Sequence, residues 1–294
     1  MKSLRELPRT SVTLSRVAQG VSSFAFAAAG TNGFVTTVIT FAVTAVLCTV
    51  GAVLAGEGRR ILGGLRLPRL WSVTVVGFFA MYLAAEAYHL APVAPVSFLL
   101  LLVPLFAALM APFAGERLTR NGMIGLAISL VGIGLFAKPE QGTNAHWPGL
   151  VCALAAGGAL AWLWYLSRDL AAHDDNLWAL SAAQNYVPAV VGLAAVLLMD
   201  DIPGGVSLVW LLVSGLGYAG NVILRLFGLR RLPASTASLI APVSAIVSTL
   251  LAVVILGEVP DARTWAGAAV ITVGAIVATR EPGRTRITPQ DPRR

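Results

Sequence analysis

Two stretches decide the reading of this chain: Met110–Glu140, MAPFAGERLTRNGMIGLAISLVGIGLFAKPE, and Leu251–Pro282, LAVVILGEVPDARTWAGAAVITVGAIVATREP. In each, an apolar run ends on a Gly-Glu pair. A short polar turn follows, and a second, glycine-bearing apolar run begins. A shift of 142 residues lays Gly115-Glu116 on Gly257-Glu258, Gly125 on Gly267, Gly132 on Gly274 and Leu90 on Leu232. Glycine-rich runs aligned by chance would not hold these matches in one register.

Outward from these stretches the same kind of run recurs. A bilayer core takes about 20 apolar residues per helix. Runs of that kind lie near 12–30, 34–55, 71–90, 93–113, 121–137, 147–167, 177–199, 207–228, 234–256 and 264–279. The first carries Ser11, Thr13, Ser15, Arg16 and Gln19 in its first half and follows a basic start, as a signal peptide does. No long polar domain follows it, so it is counted as a span. Runs one to five superimpose on six to ten. Five is odd, so the second half enters from the opposite face, as in an inverted-topology repeat. The expected fold is all-α: a polytopic membrane protein with ten transmembrane helices in two inverted five-helix repeats. The alternative is eight spans with two re-entrant segments. Residues 1–140 form the first repeat and 141–280 the second. The polar, Pro-rich residues 281–294 read as a disordered cytoplasmic tail.

Composition agrees. Of 294 residues, 57% are hydrophobic and only 12% charged, with a mean hydropathy of +0.79. A soluble domain has about 25% charged residues, so a soluble enzyme, a disordered chain and a nucleic-acid binder are all excluded. The net charge of +7 belongs to the membrane rather than to nucleic acid. With ten spans, 19 of the 21 basic residues fall on one side and only Lys138 and Arg263 on the other. By the positive-inside rule both termini are expected to be cytoplasmic. Trp71, Trp147, Trp178, Trp210 and Trp265 fall near span ends, where indoles anchor at the headgroups.

Chemistry is sparse. Cys48 and Cys152 sit in apolar runs, without metal spacing. Neither lysine follows a glycine loop, so no phosphate-binding loop for ATP exists. Asp174-Asp175 and Asp200-Asp201 read as solvated loop acids. No catalytic constellation, metal or cofactor is expected, and the chain is not read as an enzyme.

Polar groups inside lipid are costly and usually face a cavity or a bundle interior. The third span carries Tyr82, Glu86 and His89 on one helical stripe. Glu86 there pairs a substrate ammonium or a proton, or else forms an interfacial pair with His89. The eighth span, its repeat mate, carries Tyr218, Asn221 and Arg225. Asn221 suits a substrate carboxylate or amide. Arg225 reads as snorkelling to the cytoplasmic headgroups. Gln19 and Ser22 in the first span, Trp162 and Tyr165 in the sixth, and Ser244 in the ninth complete the candidate binding set. Aromatics with few charges suit a zwitterion with an apolar side chain. Pro95, Pro104 and Pro242 are expected to kink their helices.

The repeated Gly-Glu units in a ten-run chain resemble the drug/metabolite transporter superfamily, and nearly the whole chain takes part. Short loops and few lysines look most like the bacterial exporters, including those for aromatic amino acids. The second unit departs from the usual pattern at Pro260 and Asp261. The resemblance implies a secondary transporter exporting amino acids, aromatic or hydrophobic ones among them, or related small metabolites, by alternating access through a central site. Its partners are then a small-molecule substrate and the lipid bilayer. A multidrug exporter of the same fold, or a membrane-embedded lipid-handling protein, is the alternative.

Overall fold

The computed structural model describes residues 8–110, 120–136, 146–173, 176–198, 206–230, 240 and 242–279. Gly115-Glu116, Leu232, the two acid pairs and the tail 281–294 lie outside the described residues. Every described element is helical. Helix α1 is Pro8–Ala28 and α2 is Gly33–Leu54. A 3-10 turn, Gly58–Arg60, and the short α3, Ile61–Gly64, lead to α4, Pro68–Leu90. Helix α5, Val93–Leu99, passes through a 3-10 turn, Leu100–Leu102, into α6, Val103–Met110. Then come α7, Arg120–Phe136, α8, Trp147–His173, and α9, Leu177–Leu197. Helix α10 is Leu208–Leu229, and α11 is Pro242–Leu251, prolonged by a π turn, Ala252–Leu256. Helix α12 is Ala262–Thr279.

Five of these helices (α2, α4, α8, α9 and α10) are long and apolar enough to cross a bilayer. Shorter apolar helices cover Val93–Ala107, Met123–Gly132 and Val243–Leu256. The radial distribution of side chains supports a lipid surround. Val46, Val75, Val190 and Leu197 are exposed, whereas Thr36, Thr37, Thr40, Thr44, Ser181, Asn185 and Ser214 are buried. That is the reverse of a soluble bundle. The buried hydroxyls join helices. Thr40 Oγ1 lies 2.6 Å from Ser214 Oγ, Thr44 donates to the Gly215 carbonyl at 3.1 Å, and Ser22 donates to the Ser214 carbonyl at 3.0 Å. Without water, such bonds take the place that hydration has in a soluble core.

Helix starts are tied down by carboxylates from far along the chain. The first N–H groups of a helix have no partner within it, and lipid offers none. Glu57 Oε2 accepts from both Trp178 N and Ala179 N at 3.0 Å, at the start of α9. Glu86 Oε2 accepts from Gly33 N at 2.9 Å, at the start of α2, where Asn32 also caps Val35. Glu258 Oε2 accepts from Val93 N at 2.9 Å, at the start of α5. The second Gly-Glu pair thus has a mechanical meaning. Gly257 takes a left-handed φ of 70° that closes the π turn, and the next residue caps a helix 165 positions away.

Helix α1 packs chiefly on α10, α4 on α8, α2 on α9, α7 on α12, and α11 on α1 and α5. The α7–α12 contact is made by glycine against backbone. A Cβ at Gly132 would stand 3.0 Å from the Gly267 carbonyl oxygen and 3.0 Å from Ile271 N. A Cβ at Gly274 would stand 2.7 Å from the Gly125 carbonyl oxygen and 2.9 Å from Ser129 N. Each pair of contacts maps onto the other under the 142-residue shift. The break between α5 and α6 has a local cause. Pro104 lacks an N–H, and its ring crowds the carbonyl four residues back, at Leu100, where the 3-10 turn begins.

Candidate functional site

The polar face of α1 points to the centre of the bundle. Arg16, Gln19 and Ser23 are spaced by three and four residues and line a small cavity. Asn221 and Arg225 of α10, four apart, face them, drawn in by the close approach of the two helices at Gly217. The rest of the wall comes from Tyr88 at the end of α4, Ser97 of α5, Trp164 of α8 and Ser244 of α11. Leu100 and Val103 also border the cavity, so the break in the α5–α6 helix opens onto it. Interrupted helices beside a central cavity are a recurring build of transport proteins. The cavity holds about 40 Å³, room for roughly three waters. A space this small does not take a metabolite, which enters only if helices part.

A hydrogen-bond network fixes most of the lining. Asn221 Nδ2 donates to Gln19 Oε1 at 2.5 Å, and Gln19 Nε2 donates to Ser23 Oγ at 3.3 Å. On the other wall, the Tyr88 hydroxyl lies 3.1 Å from Ser97 Oγ, which lies 2.8 Å from Ser248 Oγ. The two arginines stand apart from this network. The Arg16 guanidinium lies over the Trp164 ring, 4.0 Å from its centroid. Its Nε and Nη2, the Arg225 Nε and the Asn221 Oδ1 are buried without a hydrogen-bond partner.

Of the residues expected from sequence to bind substrate, Gln19, Asn221 and Ser244 line this cavity. The others stand elsewhere. Ser22 bonds the α10 backbone. Tyr82 packs edge-on against Phe34 at 6.3 Å, and Glu86 caps α2. His89 is exposed at the end of α4. Trp162 packs on Tyr165 at 6.4 Å, and the Tyr165 hydroxyl donates to the Ala107 carbonyl at 2.9 Å. Tyr218 is buried against Phe41 at 5.3 Å. The expectation that Arg225 snorkels to the headgroups is corrected. Only 3% of it is exposed, because it continues the buried Tyr218–Asn221 stripe that α10 turns toward α1. Sequence reading passed over Arg16, Tyr88, Ser97 and Trp164 as site residues. The signal for Arg16 was its spacing to Gln19 and Ser23. Tyr88 lies on the stripe with Ala84, Ala85 and Met81, which α4 buries, rather than on the Tyr82 stripe.

A larger, open groove of about 560 Å³ lies between α2, α3 and α9. Its walls are apolar apart from Thr49 and Tyr186, which bond each other at 2.7 Å, and no charge there selects a solute. Among the described residues no group of His, Cys, Asp or Glu gathers as metal ligands.

Comparison with known proteins agrees with the fold. Residues 147–280 match the EamA-like transporter family, which bears out the resemblance to the drug/metabolite transporter superfamily. The match points to membrane transport of small metabolites. A protein of known crystal structure aligns over 94% of this chain and 96% of its own, with a TM-score of 0.63 and 22% identity, a likeness of fold. No curated protein matches the chain.

Proposed function

We propose that this chain is a secondary transporter of small metabolites, crossing an inner membrane ten times with both termini in the cytoplasm. The two halves, 1–140 and 141–280, are inverted repeats that alternately expose the central cavity to either side. The observation that carries the reading is a small cavity lined by buried polar side chains, among helices whose outer faces are apolar. A polar cavity in such a bundle costs stability, and solute passage is the use that offsets the cost.

The packing supports the inversion. Exchanging the halves turns the α1–α10 pair into α8–α4, and returns α2–α9 and α7–α12 to themselves. The glycine contacts of α7 and α12 obey the same exchange. Alternating access then amounts to rocking at such pairs, with the broken α5–α6 helix as the compliant element beside the site. The substrate class implied by the resemblance is amino acids or related metabolites, exported down the gradients present.

The test is saturable flux. Purified protein in liposomes is given labelled amino acids and organic acids one at a time. Flux that saturates and is trans-stimulated by the same solute inside supports the reading. Unsaturable flux means a channel, and lipid scrambling without solute flux means a lipid-handling protein. Terminal tags found on opposite faces of the membrane would remove the ten-span topology.

A further inference from the structure

We infer that the cavity is built for an organic anion, whose carboxylate or phosphate sits between Arg16 and Arg225 and whose apolar body lies against Trp164. This narrows the solute of the transporter reading to anionic metabolites and departs from the amino acids that the resemblance implies; it rests on that reading for passage but not for binding.

The argument begins with charge. Arg16 is 8% and Arg225 3% exposed, and both line the same cavity. Guanidinium stays protonated at any pH the protein meets. A buried cation is normally paired with a carboxylate, yet no Asp or Glu is among the residues lining the cavity. Neither guanidinium has a hydrogen bond or ion pair among the described residues, and three of their nitrogens are buried bare. The guanidinium carbon of Arg16 lies over the Trp164 ring, a contact that uses none of its N–H groups as hydrogen-bond donors to oxygen. Its N–H groups radiate in the plane and remain as donors, in the fork geometry that matches carboxylate and phosphate oxygens.

The count of charges then orders the solutes. With two fixed cations, a zwitterion leaves the cavity at +2 and an amine raises it to +3. A monoanion lowers it to +1, and a doubly charged anion brings it to zero. Around two buried guanidiniums, where the dielectric is low, these differences dominate selection. The vacant Asn221 Oδ1 accepts one hydrogen bond from a hydroxyl or amine on the same ligand, so polar substituents are tolerated beside the anion.

The arginines are not imposed by the repeat. The 142-residue shift carries Arg16 to Gly158 and Arg225 to Leu83, so the equivalent place between α8 and α4 has no charge. The fold is made without them at one of its two equivalent positions. Their cost in stability is therefore for binding.

The experiment uses the full chain purified in detergent and four probes that share a benzene ring: 3-phenylpropionate, phenyl phosphate, phenylalanine and phenethylamine. Binding is measured by calorimetry. At least one anion binds tenfold or more tightly than phenylalanine, and phenethylamine binds more weakly than all three others. The order of 3-phenylpropionate and phenyl phosphate tells whether carboxylate or phosphate is preferred. Arg225→Gln and Arg16→Gln each weaken the preferred anion at least tenfold, whereas Arg59→Gln, on the exposed 3-10 turn, does not. A melting curve without ligand guards against a folding defect. Removing an unpaired buried cation leaves the ligand-free melting temperature of Arg225→Gln unchanged or raises it. Anion binding less than tenfold tighter than that of phenylalanine, or no tighter than that of phenethylamine, absence of anion binding included, overturns the inference. So does anion binding that survives both substitutions, or a ligand-free melting temperature that falls, which would make the guanidiniums structural. Saturable flux without anion preference would leave the transporter standing and remove this inference. Anion binding without flux would do the reverse.

Discussion

The α1–α10 contact can be tested at one atom. A Cβ on Gly217 would stand 2.8 Å from the Ala18 carbonyl oxygen, 2.9 Å from Ser22 N and 3.0 Å from Ser22 Cβ. Two of those atoms are backbone, so no side chain can swing aside. A relaxed carbon–oxygen contact is about 3.3–3.6 Å, so Gly217→Ala must push α10 away from α1 by roughly 0.5 Å. Overpacking of this kind costs about 1–3 kcal/mol. Alanine also gains about 1 kcal/mol in helix propensity over glycine, which would mask part of the loss. Gly158→Ala removes the ambiguity. Gly158 is also inside a helix, but nothing lies within 4 Å of where its Cβ would be. The propensity gain is common to both variants, so their difference isolates the steric cost. At about 2–4 °C per kcal/mol, Gly217→Ala should melt about 2–12 °C below Gly158→Ala in the same detergent. Equal melting temperatures would show that the two helices are not in backbone contact, and the geometry of the cavity between them would fall with it.

Three further outcomes follow from the same structure. Glu258→Ala removes a charge-assisted bond at the start of α5 and should cost about 1.5–3 kcal/mol of stability, with Glu258→Gln intermediate; a wild-type melting temperature for Glu258→Ala would refute the capping role. Gly132→Leu and Gly274→Leu meet equivalent backbone across the α7–α12 contact and should be similarly disruptive in a thermal melt, so tolerance of one and failure of the other would contradict the symmetric packing. Asp261, in the turn before α12, is bonded by the Thr264 side chain and accepts from Thr264 N at 2.7 Å, and these two bonds, the first above all, hold its carboxyl below the usual range. Its folded value is depressed, so its contribution is complete above the unfolded value near 3.9 and is lost as pH falls through the folded one. The stability gap between wild type and Asp261→Ala should stay constant from neutral pH down to about 4 and close below it. A gap that persists in strong acid would mean the carboxylate charge is irrelevant.

Hydrophobic length is a local property, and it was legible residue by residue. Runs of apolar side chains between glycine and proline breaks gave the all-helical architecture, and the recurring Gly-Glu units gave the family resemblance. The break in the fourth run could be read from Pro104, because the clash of a proline ring with the preceding turn is also local. Part of the site was legible for the same reason. An amide inside lipid seeks a partner wherever it is, and Gln19 and Asn221 found each other.

Rotation about each helix axis could not be read in this way. Helix α4 is apolar on nearly every face, so its own pattern does not say which stripe turns inward. Packing against neighbouring helices buried the Tyr88 stripe, with Tyr88 itself against Phe26 of α1 and Ser97 of α5, and left Tyr82 against Phe34. Glu86 resembled a coupling carboxylate until the start of α2 was placed beside it, 53 residues back in the chain. The sequence alone determined that cations would be few and would lie at the ends of the apolar runs. Only tertiary structure decided that Arg16 and Arg225, 209 residues apart, would line one cavity. The physical reason is range: insertion into lipid is summed along a single helix, whereas the meeting of two charges depends on how different helices turn and pack.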